Sequence, residues 1–141
     1  MLDELLVWAG AESAARPTYR PLSSMEVVSL TQGEPIDVGA HTMMHSALPA
    51  LPAASQHDEI LESKTQLKEI MVCPMSSFSY PYGSLSEETV EIVRTAEFAC
   101  ACSTFAGIVE LATDPFRVPR MCVQDWDGPK FGRQLSRWFD G

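Results

Sequence analysis

The stretch Ile36-Asp37-Val38-Gly39-Ala40-His41-Thr42-Met43-Met44-His45 decides how this chain is read. Residues 36–40 read as a short strand that runs straight into two histidines spaced i, i+4. On a helical turn that spacing puts both imidazoles on one face, close enough to reach a single cation. An isolated HxxxH also arises by chance, with both histidines serving as surface or core residues. Here the pair directly follows a strand in a chain with only three histidines, which favours the metal reading. No glutamate lies between them, so the HExxH metalloprotease pattern and its built-in base are excluded. Any general base must come from elsewhere.

Downstream, Ser76 to Tyr80 is a short β-like run, and Pro81-Tyr82-Gly83 must turn. Proline fixes the backbone and glycine permits a tight turn, so a peptide N–H can be aimed at a developing oxyanion. The same residues also fit a plain strand-ending turn. Further out, Leu2 to Trp8 is a short amphipathic helix, followed by a polar loop to Tyr19-Arg20-Pro21. Ser23 and Glu26 have capping-box spacing for a helix to about Leu30, and Gly33 and Pro35 punctuate. Ser46 to Pro52 is a loop. Ala54 to Met71 is the longest helix, with Ile60, Leu67, Ile70 and Met71 as its apolar stripe and Glu59, Glu62, Lys64 and Lys68 elsewhere. Ser84 and Glu87 repeat the capping spacing ahead of a helix with Val90 and Val93 on its apolar face. Phe98 to Cys102 reads as a strand buried between layers, and Phe116 to Val123 as another, broken by Pro119. Pro129 suits the first turn of a last helix whose buried stripe is Phe131, Leu135 and Trp138.

Strands alternating with helices predict an α/β fold with a parallel sheet or barrel, whose chemistry collects at the C-terminal strand ends. His41 and the Pro81-Tyr82-Gly83 turn should therefore share one rim. The 141 residues, 45% of them hydrophobic, fit one domain spanning 1–141. A net charge of −9, from 19 acidic and 10 basic residues, argues against nucleic acid or an anionic membrane as partner. No apolar run approaches the roughly 18 residues of a membrane span. The acidic opening MLDELLVWAG is unlike a secretory signal, so a cytoplasmic location is expected for the chain as written. Cys73, Cys100, Cys102 and Cys122 read as buried thiols, His57 as an exposed helical residue, and Trp126 and Trp138 as packing residues. Asp125 and Asp127 precede the last helix and read as caps.

Residues 36–45 resemble the (E/D)-x-G-x-H-(T/S)-x-x-H motif of the polysaccharide deacetylase family, the NodB-homology group of carbohydrate esterase family 4. Tyr80-Pro81-Tyr82-Gly83 is similar to that family's next motif. Val118-Pro119-Arg120 and Asp125-Trp126-Asp127-Gly128 resemble the closing region of one bacterial branch. The resemblance implies a distorted (β/α) barrel, here incomplete, that removes acetyl groups from N-acetylglucosamine units of an oligomer or polysaccharide. It implies a divalent metal, usually zinc, held by an aspartate with His41 and His45, and a turn oriented by Thr42. Tyr82 would offer its backbone N–H to the tetrahedral intermediate and its ring to the sugar. Arg120 would stand in for an arginine that steadies the base.

The departures from the family pattern are as specific as the match. No TFDDG-like motif precedes His41, where the acidic residues are Asp3, Glu4, Glu12, Glu26, Glu34 and Asp37. The late LxLxH histidine has no counterpart either. The first β-α-β unit is thus expected to be missing, with the helix at Leu2 following it in the family. Low activity alone is expected, along with homo-oligomer formation through exposed strand edges. A non-catalytic carbohydrate-binding or assembly module on the same fold is the alternative, and an unrelated α/β protein with an accidental HxxxH is a third reading.

Overall fold

Local chemistry starts the helices. In a computed structural model, which describes residues 2–11, 19–32 and 36–139, α1 spans Leu2–Ala9 and α2 spans Ser24–Leu30. Ser23 Oγ accepts the Glu26 N–H while the Glu26 carboxylate accepts the Ser23 N–H, so both halves of the expected capping box form. Arg20 grips the same carboxylate through two nitrogens at 2.8 and 2.6 Å. Together with the Ser23 bonds, it holds the Glu26 carboxyl down to about 2. A lowered carboxyl stabilises the fold above its ordinary pKa, and that contribution disappears as pH falls through the lowered one. Acidification from pH 4.5 to 2 is therefore expected to free this corner. Amide exchange at Glu26 and Val27 should rise in that window, and no rise would mean the corner does not depend on the ion pair. The polar loop at 12–18 and the punctuation at Gly33 and Pro35 lie outside the described residues.

α3 covers Ala53–Met71, α4 Glu87–Thr95 and α5 Gly128–Phe139. The loop at 46–52 contains a 3-10 turn, Leu48–Ala50, because Leu48 drops fully into the core and Leu51 N–H closes back on its carbonyl. The cap of α4 is Ser86, not Ser84. Ser84 N–H is still closing the preceding turn onto Pro81 O, whereas Ser86 Oγ accepts the Thr89 N–H at 3.1 Å.

Two strands, β1 (Ser77–Ser79) and β2 (Cys100–Cys102), pair in parallel with Phe78 opposite Ala101. A single parallel bridge flanks each side, Ala40 with Phe78 and Val118 with Cys102. Four parallel tracks therefore run in the order Ala40, β1, β2, Val118. The strand expected at 36–40 shrinks to Ala40. Asp37 Oδ1 takes the Val38 N–H, and Gly39 presses so close to Ser77 that a Cβ would stand 2.5 Å from its Oγ. The strand expected at 116–123 shrinks to Val118, since Asp114 claims the Phe116 and Arg117 N–H groups and Pro119 has none.

Phe78 lies at the centre of the core, with ring centroids 5.3 Å from Tyr80 and 5.4 Å from Phe98. Ile60 from α3 and Val90 and Val93 from α4 complete it. Tyr80 Oη donates to Phe116 O, and burial pushes its pKa well above the ordinary tyrosine value. Thr89 Oγ1 donates to buried Gln56 Oε1 at 2.7 Å, a polar tie between α3 and α4 that helical periodicity does not reveal. Three expectations about burial fail. Cys73 and Cys122 are exposed and Cys100 and Cys102 half-buried, all four as free thiols. β2 buries only Ala101 fully, because the two cysteines share its other face. None of α5 is buried: Phe131 is exposed, and Leu135 and Trp138 are half-covered beside a cavity of about 460 Å³ shared with Ile108, Val109 and Phe139. Trp126 does pack on Trp138, at 6.1 Å, and Asp127 does cap α5 through the Lys130 N–H. No helix among the described residues is long and apolar enough to cross a membrane.

Candidate active-site rim

The four parallel tracks end on one side, and each delivers a different group there. Ala40 is followed by His41, β1 by Tyr80-Pro81-Tyr82-Gly83, β2 by Ser103-Thr104, and Val118 by Pro119-Arg120. Topology thus gathers the expected residues on one rim, as the rule for parallel sheets requires.

His41 Nδ1 lies 2.6 Å from Ser79 O. A carbonyl only accepts, so Nδ1 carries the proton and, in the neutral ring, Nε2 keeps a free lone pair. The His41 and His45 rings meet edge to face at 4.8 Å, and His45 meets Tyr82 at 4.6 Å. The two histidines do converge, although not on a helical turn. Thr42 and His45 have left-handed backbones, φ 65° and 56°, with a bend between them. Each such residue costs about 1–3 kcal/mol and persists only where the surroundings enforce it. Thr42 Oγ1 accepts the His45 N–H at 3.1 Å, which gives Thr42 the orienting part expected of it. Met43 and Met44 N–H both donate, at 2.9 Å, to one oxygen of Glu59 on α3. Glu59 lies 14 residues beyond His45 in sequence and reads from periodicity as an ordinary polar helix residue, so no local signal exposes this contact.

Tyr82 is also left-handed, φ 58°, and the residue is 68% exposed. Gly83 N–H and Ser84 N–H close the turn on Tyr80 O and Pro81 O, and Tyr82 N–H is not one of these closing donors. Thr104 Oγ1 donates to Tyr82 O at 3.2 Å. Arg120 Nε donates to Ser103 O at 2.6 Å, and its side chain lines a recess with Thr104, Met121 and Cys122. Among the described residues, a path from Arg120 to the histidines runs through Ser103-Thr104 and then Tyr82. A second recess, of about 280 Å³, opens between His41, Thr42 and Met43 on one side and Ser63 and Leu67 of α3 on the other. His57 stays exposed on α3, next to Asp58.

The sequence profile of the polysaccharide deacetylase family matches residues 11–101, well over half of the chain. The chain belongs to the polysaccharide deacetylase family. Its fold agrees. A Streptococcus pyogenes deacetylase, PplD in complex with acetate, superposes with a TM-score of 0.74 at 22% identity, covering 92% of this chain and 54% of that one. IcaB from Ammonifex degensii gives 0.71 at 20% identity, covering 96% and 64%. A polysaccharide deacetylase from Bacillus cereus gives 0.66 at 17%, covering 84% and 42%. At these identities the likeness is one of fold. The deacetylase-family chain spans about half the length of the solved structures it matches. No curated protein matches it.

Deacetylases of this family are in general metal-dependent, and two imidazoles with a directed Nε2 suit a borderline cation such as zinc in kind. They do not suit it in number. Among the described residues no set of three His, Cys, Asp or Glu side chains is placed to hold one ion.

Proposed function

We propose that this chain carries the histidine part of a metal-dependent deacetylase site acting on N-acetyl groups of an amino-sugar oligomer or polysaccharide. The observation behind this reading is the His41–His45–Tyr82 cluster at the ends of the parallel tracks, with His41 Nδ1 committed to Ser79 O. In this reading residues 1–141 form a single domain, an incomplete distorted (β/α) barrel without the first β-α-β unit. His41 and His45 are two ligands of a divalent metal, zinc, which when bound polarises the acetyl carbonyl and acidifies a water. Tyr82 N–H faces the oxyanion, its ring borders the sugar, and Arg120 steadies the base. In this reading the third ligand and the carboxylate base are not supplied by this chain, which alone is weakly active or inactive. Exposed Val7 and Trp8 on α1 favour a homo-oligomer.

A second reading, a non-catalytic carbohydrate-binding or assembly module, is favoured by the two-donor count. Calorimetry with zinc and with chitooligosaccharides, alongside an acetate-release assay, separates the two. The deacetylase reading expects zinc uptake that chelator reverses, and acetate release near background. Sugar binding indifferent to chelator, with no zinc uptake, would favour the module. Sustained acetate release by this chain would overturn the incompleteness of its site.

A further inference from the structure

The geometry points to Glu59 as the positioning residue that holds the histidine loop in its metal-competent shape. The inference rests on the reading of His41 and His45 as ligands and goes beyond it to a residue outside the motif. Three tethers hold the loop. One fixes the His41 ring to Ser79 O and one closes Thr42 on His45 N–H. Both act at the ends. Between them, Met43 and Met44 present consecutive N–H groups to Glu59 Oε2, each at 2.9 Å. Two adjacent amides converging on one side-chain oxygen make a two-donor clamp set by reach, and it grips the two residues between the left-handed Thr42 and His45. Glu59 itself sits on the longest helix, whose neighbour Ile60 is wholly buried, so the clamp is anchored in the core. It is not a ligand in waiting, since no three-donor set forms around the pair among the described residues. Met44 is 76% exposed, so side-chain packing does little to hold that part of the loop.

Residues that hold ligands in place typically change metal affinity by about 10- to 100-fold when removed. Zinc titration of the full chain by calorimetry should show that loss for Glu59→Ala. Glu59→Gln retains an oxygen at the same reach and is expected within about threefold of the wild type. Glu59→Asp keeps the charge but draws it back by one methylene, and should lose affinity nearly as Glu59→Ala does. That order separates positioning from mere negative charge. Imidazole nitrogen shifts of the metal-free protein give an independent readout: His41 should stay in the Nδ1–H form in the wild type and Glu59→Gln, and become a tautomer mixture in Glu59→Ala and Glu59→Asp. Should Glu59→Ala fail to fold, the Gln and Asp pair still decides. Full affinity in Glu59→Asp with loss in Glu59→Gln would overturn the inference, as would unchanged affinity in every variant. His41→Ala is the separate control: zinc binding that survives it sinks the ligand reading, whatever Glu59 does.

Discussion

Phe78→Ala is expected to lower the free energy of unfolding by about 3–5 kcal/mol, the usual range for emptying a core aromatic site. Phe78 is the middle residue of β1 and the only one facing the core from it. It touches Tyr80 and Phe98 ring to ring, and its backbone stands between Ala40 on one side and Ala101 on the other. Small neighbours at Ala40 and Ala101 cannot expand into the gap, so relaxation is limited and the cost should fall toward the upper end. Domains of this kind have about 5–15 kcal/mol in total, so the variant would be marginal at room temperature. Urea unfolding followed by tryptophan fluorescence measures the change. A loss under about 1.5 kcal/mol, typical of a forgiving site, would show that β1 is not the centre of the core.

The same residue illustrates what the sequence discloses. Alternation of polar and apolar residues around Phe78 and Tyr80, and the breadth of the Ile60–Leu67 stripe, are local patterns, so β1 and α3 are legible in advance. Ser23 with Glu26 is legible for the same reason, because a capping box is complete within four residues. Misreadings occur where a backbone group is claimed, from near or far, by a partner that spacing rules do not weigh. The 36–40 strand fails because Gly39 meets Ser77, and the 116–123 strand because Asp114 diverts the backbone donors. Ser84 has the right spacing for a cap, yet its N–H belongs to the previous turn. The cysteines and the α5 stripe read as interior on hydrophobicity alone, which describes what a face prefers and not whether anything covers it.

The candidate site divides along the same line. His41, His45 and Tyr82 are visible because motif spacing and strand ends are sequence properties. Their actual arrangement depends on Ser79 O, Glu59 and Thr104, each contributed by a different track or helix. The HxxxH spacing even suggests the wrong backbone. The rings meet through two left-handed residues and not through a helical turn, so convergence of the imidazoles is a tertiary property imposed on the motif.

Gly83→Ala should be nearly as costly as the core truncation, by about 2–5 kcal/mol, and it acts on the rim directly. Two effects combine. Gly83 has φ +67°, and a side chain there costs about 1–2 kcal/mol. An added Cβ would also overlap Thr104 Oγ1 and stand 2.7 Å from both Thr104 Cβ and Thr104 N, an overpacking of about 1–3 kcal/mol. Gly10 supplies the internal reference, since its φ is +59° but nothing lies within 4 Å of its would-be Cβ. Gly10→Ala therefore reports the backbone term alone, and the difference between the two variants isolates the clash. Thr104→Gly in the Gly83→Ala background removes the side-chain overlap but leaves the contact with the Thr104 backbone, so recovery should be partial. The displaced turn would carry Tyr82 away from His45, and the ring-current shift of the His45 protons should diminish in step with stability. If Gly83→Ala and Gly10→Ala cost the same, the β1 turn is not wedged against the Thr104 segment. If stability falls while the His45 shift holds, the Tyr82 ring keeps its place by means other than this turn.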